Sequence, residues 1–198
     1  MVTAEPKFEP IERQYIHLGP VCGVDEAGRG PLAGDVYAAA VILPEEYDLP
    51  GLNDSKQCGV KLRERLYDAI TAQATAWAIG VATVEEIAQV NILRAALLAM
   101  QRAVEALPRP AAFALVDGNQ YPQLNIPCQA LVRGDARCAS IAAASILAKV
   151  TRDRAMVALD EQYPGYGFAQ HKGYGTQAHY EALGRLGPCF VHRLGFLH

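Results

Sequence analysis

Val21-Cys22-Gly23-Val24-Asp25-Glu26-Ala27-Gly28-Arg29-Gly30-Pro31, followed by Val36-Tyr37-Ala38-Ala39-Ala40-Val41-Ile42-Leu43, is the stretch that decides the architecture. Val21 to Asp25 is a β-like run that stops at the glycine-rich Glu26–Pro31. Val36 to Leu43 is continuously small and apolar and ends at Pro44, which suits a strand covered on both faces. A tight glycine-rich connection between two such runs predicts an antiparallel pair.

Outward from this pair, Leu62, Leu66, Ala69 and Ile70 fall at helical spacing within Lys61 to Ala74. Trp77 to Val84 reads as a strand. Asn91 to Leu107 carries Ile92, Ala95, Ala96, Ala99, Met100, Ala103 and Leu107, an amphipathic helix stopped before Pro108. Phe113 to Val116 is a buried strand ending in the turn signal Asp117-Gly118-Asn119, and Gln129 to Val132 is a last strand. Ala139 to Leu159 is a helix whose small face (Ala142, Ala143, Ala144, Ser145, Ala148) allows close packing on a sheet. Beyond Pro164 a loop precedes a helix from about Thr176 to Leu186. The pattern predicts an α/β fold with a mixed five-stranded sheet, helices on both faces and a mainly helical C-terminal extension. Residues 1–20, charged and broken by Pro6, Pro10 and Pro20, are expected to be a loosely docked lead-in. Residues 21–160 then form the catalytic domain and 161–198 an extension packed on it.

The 198 residues are 51% hydrophobic and 20% charged, so disorder and fibrous repeats are excluded. No apolar run approaches the roughly 18 residues of a membrane helix, and Met1 to Pro20 does not fit a signal peptide. A soluble, cytoplasmic monomer is expected. Cys22, Cys58, Cys128, Cys138 and Cys189 are odd in number and lack C-x-x-C spacing, against a disulfide framework or zinc site. His171, His179 and His192 share no ligand spacing and read as packing or phosphate-proximal residues. The net charge of −3 is uneven: from Leu131 onward eight basic residues face five acidic ones, leaving −6 on the first 130 residues. An acidic catalytic half and a basic substrate-facing half would have this distribution.

Asp25 and Glu26 end the first strand, Asp117 ends a later one, and Asp135 stands just before a helix. Strand ends on one edge of an α/β sheet can converge on a single crevice. Clustered carboxylates repel one another and call for cations between them. Oxygen-only donors select Mg²⁺ or Mn²⁺, and two such ions suit in-line attack on a phosphodiester. Taken singly, Asp117-Gly118 also fits a plain turn and Asp135 a helix cap. Adjacent strand residues face opposite ways, so Asp25 and Glu26 share a site only if the strand ends or twists there.

Gly23 to Gly34 resembles the opening motif of the ribonuclease HII family, and Leu52-Asn53-Asp54-Ser55-Lys56 resembles its second block. Val116–Asn119, Arg133–Ala136, Ser140–Arg154, Tyr163–Phe168, His171–Thr176 and His192-Arg193 continue in family order, so the similarity spans about Val21 to Phe196. The resemblance implies a ribonuclease H-like fold and an endonuclease acting on RNA/DNA hybrids or on DNA duplexes containing ribonucleotides. It implies that Asp25, Glu26, Asp117 and Asp135 are the catalytic, metal-binding carboxylates, holding two Mg²⁺ or Mn²⁺ ions with substrate bound. Gly28-Arg29-Gly30 matches the family loop that reads the ribose 2′-hydroxyl through its backbone, and Tyr174 the tyrosine that stacks on the deoxyribose beyond the junction. Lys56, Arg29, Lys149, Lys172 and Arg193 are candidate phosphate contacts. Asp153, between Arg152 and Arg154, reads as a solvated or ion-paired helix residue.

The chain departs from the family pattern at Gln57-Cys58-Gly59, Asp35 and Leu194-Gly195, which bears on substrate affinity. A hybrid-binding module without catalysis is the rival reading, and the presence of all four carboxylates speaks against it. A phosphate-cradling nucleotide hydrolase fails because Gly28–Gly34 lacks the Gly-Lys-Ser/Thr ending of a P-loop. Any replication or repair partner is left unnamed by the sequence.

Overall fold

A computed structural model describes residues 8–197, so residues 1–7 of the expected lead-in lie outside the described residues. Five strands, β1 (Val21–Ala27), β2 (Val36–Ile42), β3 (Ala76–Ala82), β4 (Phe113–Asp117) and β5 (Cys128–Leu131), form one sheet in the order β3-β2-β1-β4-β5. β1–β2 and β2–β3 are antiparallel, whereas β1–β4 and β4–β5 are parallel. The predicted mixed sheet is therefore present, and the antiparallel pair around the glycine loop is its centre.

Alternation along β2 explains the two covered faces. Ala38, Ala40 and Ile42 join Cys22, Val24, Ala114 and Val116 under α2 (Val84–Val90) and α3 (Ile92–Glu105). Ala39 and Val41 point the other way, beneath α1 (Val60–Gln73) and α5 (Ala139–Gln162). Small residues let α5 lie against the strands: a Cβ added at Gly23 would come within 2.2 Å of the Ser140 carbonyl carbon. Helix backbone thus touches strand backbone two residues before Asp25. The small face read from the sequence serves this contact.

Three differences from the sequence reading matter. β1 runs on to Ala27 and does not stop at Asp25. Helix α2 had no counterpart in the periodicity, although Thr83 and Glu86 form a capping box at its start, a signal present in the sequence. The lead-in is also firmly docked from residue 8 onward. Ile11 is buried, the Tyr15 ring stacks 3.9 Å from that of Phe113, and Glu9 pairs with Arg137. Its prolines and charges break periodicity without preventing apolar contacts with the sheet edge.

Short helices α4 (Gly134–Arg137) and α6 (Phe168–His171) and the helix α7 (Gln177–Leu186) complete the fold. The C-terminal extension is mainly helical, and its last segment returns to the glycine loop through an isolated bridge between Ala33 and His192. No helix among the described residues is long and apolar enough to cross a membrane.

Candidate active site

Asp25 leaves β1 beside the end of β4, where Asp117 is the last strand residue. Across the next strand, β5 delivers the chain to α4, which carries Asp135 in its first turn. The turn is tight: Arg133 adopts a left-handed φ of 56°, and a Cβ on Gly134 would lie 2.6 Å from Ile141. The Asp135 amide donates to Asp117 Oδ1 at 3.2 Å, coupling the two elements. One oxygen from each of Asp25, Asp117 and Asp135 lies within 4.8 Å of the others.

Asp25 and Asp135 are only 7% and 8% exposed. Burial, then Glu26 and Asp117, raise Asp25 well above the usual carboxylate range. Burial, then Asp117 and Asp54, push Asp135 up to about 6 against the opposing charge of Lys56. These groups resist simultaneous ionisation in the metal-free protein. Three oxygen donors this close, short of positive charge, fit a hard divalent cation.

Glu26 stands beside this trio, outside the group of oxygens within 4.8 Å of one another. It follows Asp25 directly in β1, its charge acts on Asp25 more strongly than that of Asp117, and Arg29 lies 3.5 Å from its carboxylate. It remains close enough for the Asp117 charge to act on it; burial is the main cause of its raised proton affinity. Lys56 is exposed on the short turn Ser55–Gln57, where burial lowers its proton affinity, but Asp54, Asp25, Asp135 and Asp117 together raise it. Its positive charge therefore faces the carboxylates.

The glycine loop lies next to this group. Gly28 has φ 104°, and a Cβ there would come 2.2 Å from Arg152 Nε. Gly30 faces Tyr174, whose Cε1 would be 3.8 Å from an added Cβ, so the structure brings the two sugar-contact candidates together. The Tyr174 ring is 43% exposed, with Lys149 Nζ and the Arg152 guanidinium 5.8 and 5.9 Å from its centroid.

Arg193 is a correction to the phosphate-contact reading. It is 2% exposed, and all its guanidinium nitrogens donate to backbone carbonyls: Nε to Gly34, Nη1 to Arg29 and Pro31, Nη2 to Gly28 and Gly34. Five donors are thereby used inside the loop, leaving none for a phosphate. Burial, then Arg152, push Arg193 down to about 9, so it is charged at neutral pH. Lys172, half-buried, donates its ammonium to the Ala169 carbonyl at the left-handed end of α6. Lys149 binds Asp153 at 2.7 Å, and the ion-paired reading of Asp153 holds.

Sequence reasoning gave Arg152 no role, since an arginine among helix charges defaults to solvent. Its side chain is buried and donates to the carbonyls of Asp35, Lys172 and Ala33, joining the glycine loop to the tyrosine segment. At Asp35, one of the departures from the family pattern, the carboxylate accepts from the Val84 amide at the start of α2. Cys58 is buried in the core beside α1, and Gly59 starts that helix.

His179 and His192 form a buried chain with a fixed direction. Cys189 N–H donates to His192 Nδ1 at 2.9 Å, His192 Nε2 meets His179 Nε2 at 3.1 Å, and His179 Nδ1 meets the Tyr174 carbonyl at 2.9 Å. Only neutral rings satisfy all three contacts. Burial pushes His192 down to about 4 and lowers His179 as well. The reading of these histidines as packing residues holds.

Residues 22–198 match the Ribonuclease HII family. A Ribonuclease HII from Dechloromonas aromatica is 58% identical over 181 residues, covering 91% of this chain and 92% of that one. The ribonuclease H2 of Pyrococcus horikoshii superposes with a TM-score of 0.73 at 26% identity over 88% of this chain and 92% of its own. Bst-RNase HIII, solved in complex with Mn²⁺, shares the fold with a TM-score of 0.61 at 17% identity, over 95% of this chain and 71% of that one. On the match across nearly its whole length and on its relatives' identity, this chain belongs to the ribonuclease HII family, hydrolases with ribonuclease H endonuclease activity.

Proposed function

We propose that the chain cuts the RNA strand of RNA/DNA hybrids, and duplex DNA holding a single ribonucleotide, on the 5′ side of the ribonucleotide with two divalent ions. The products are 3′-hydroxyl and 5′-phosphate ends. The carrying observation is the juxtaposition of three carboxylate oxygens within 4.8 Å, with the loop that faces Tyr174 at Gly30 beginning three residues after Asp25. Mg²⁺ or Mn²⁺, when bound, would neutralise developing phosphoryl charge and lower the pKa of a water.

The protein's own groups do the rest. Asp25, Asp117 and Asp135 hold the cations, and Glu26, tethered by Arg29 at the rim, supplies the fourth carboxylate. Lys56 and Arg29 meet phosphates and fix the register of the duplex without reading sequence. The Gly28–Gly30 backbone contacts the 2′-hydroxyl, the group that separates RNA from DNA. Tyr174, flat and half open, stacks on the deoxyribose of the following nucleotide. The Mn²⁺ of the Bst-RNase HIII structure supports the choice of a hard divalent ion.

A labelled DNA duplex with one embedded ribonucleotide tests this reading. With Mn²⁺ or Mg²⁺ a single cut 5′ to the ribonucleotide is expected, and with EDTA none. Intact substrate in excess Mn²⁺, or cleavage that survives chelation, sinks it.

A further inference from the structure

The segment preceding the matched region grips the turn that carries Asp135. Glu9 donates its amide to the Arg137 carbonyl at 2.9 Å, and its carboxylate takes Arg137 Nε and Nη2 at 2.8 and 3.0 Å. Three residues later, Glu12 Oε1 accepts from Ser140 N and Ser140 Oγ, both at 3.0 Å, and from Cys138 Sγ at 3.1 Å. Burial, then Glu12, push the Cys138 thiol up to about 12, so it stays a donor. The anchored residues lie two, three and five positions after Asp135.

Local chemistry makes this grip consequential. Cys138 closes α4 and also starts α5, and it offers the 24-residue helix no side-chain cap of its own. Glu12 supplies that cap from outside, its charge set against the positive end of the helix. The α4 turn is only four residues long and follows a left-handed Arg133. Ile11 and Tyr15 seat the segment on Phe113, Leu115 and Leu131 of β4 and β5, the strands leading to Asp117 and Asp135.

We propose that Glu12, assisted by Glu9, is a positioning residue: it holds the Asp135 turn where that carboxylate can share a divalent cation with Asp25 and Asp117. The inference rests on the reading that this trio binds the metal. It applies to a segment outside the family match at residues 22–198.

The test is calorimetric titration of Mn²⁺ into the full chain, with amide hydrogen exchange over residues 133–138. Glu12→Ala is expected to weaken Mn²⁺ binding about tenfold, in the range seen when groups supporting a metal ligand are removed. Exchange at 133–138 should quicken, while KM for a hybrid at saturating metal stays unchanged. Glu12→Gln keeps an acceptor oxygen and should restore most of the affinity. Ile87→Val, a buried change on the opposite sheet face, controls for lowered stability and should leave Mn²⁺ binding alone. Wild-type affinity and exchange in Glu12→Ala, or equal weakening in Ile87→Val, overturns the proposal. An Asp25→Asn variant separates the two levels: unaltered Mn²⁺ binding there refutes the metal reading itself.

Discussion

The carboxylate group and the glycine loop stand side by side but are built on opposite principles. At the carboxylates the protein concentrates like charge, so two buried acids bind protons more tightly than they would in water. At the loop it spends two buried arginines on backbone carbonyls, without an acid partner at hydrogen-bond distance among the described residues. One region is completed by something from solution; the other is complete in the folded chain. Catalytic charge must be free to act on a ligand, whereas a surface that measures a sugar must be rigid before the sugar arrives.

The strongest way to break this contrast is to alter the unfinished side. Asp25→Asn removes a cation ligand and should lower cleavage on the order of 10³-fold at fixed Mn²⁺, since a metal supplies several kcal/mol of transition-state stabilisation. Hybrid binding, measured by gel shift, should persist. If turnover drops less than tenfold, the trio is not the catalytic centre.

On the finished side, Arg193→Met strands four carbonyls in the interior. A loss of roughly 3 kcal/mol, or about 6–12 °C in Tm, is expected by calorimetry. Discrimination between ribo- and deoxyribo-substrates should fall with it. A variant that melts like the parent and keeps its selectivity would show that the guanidinium is dispensable.

The smallest effect sharpens the electrostatic half. Asp135 binds its proton more tightly folded than unfolded, so in metal-free protein its contribution to stability declines as pH rises from about 4 through about 6. His192 and His179 act in the opposite direction, being harder to protonate when folded. Comparing Asp135→Asn with the parent cancels the histidines. In EDTA the variant's Tm advantage should grow from near zero at pH 4 to a few degrees at pH 7, and Mn²⁺ should reverse it. An advantage independent of pH would contradict the assigned repulsion.

Legibility followed the same division. The grouping of Asp25, Asp117 and Asp135 was readable because acids in or just after short apolar runs stand out without knowledge of packing, and the five strands because buried β-runs differ from amphipathic helices. The length of β1 was not readable, because the strand's end is set by pairing with β2 up to Tyr37. Arg193 and Arg152 were hidden since nothing in a linear sequence shows an arginine surrounded by distant carbonyls. Glu12 was hidden for a related reason: capping in trans leaves no local spacing to notice.

The sheet order has one more consequence. β1 to β3 form a meander of neighbours, but β1 meets β4 only after the chain has travelled from Val21 to Phe113. Asp25 belongs to the first of these units and Asp117 and Asp135 to the second, so the carboxylates face each other across a seam between early and late parts of the polypeptide. A nascent chain that stops short of residue 117 contains a single member of the trio, so the carboxylates can assemble only once the seam has closed.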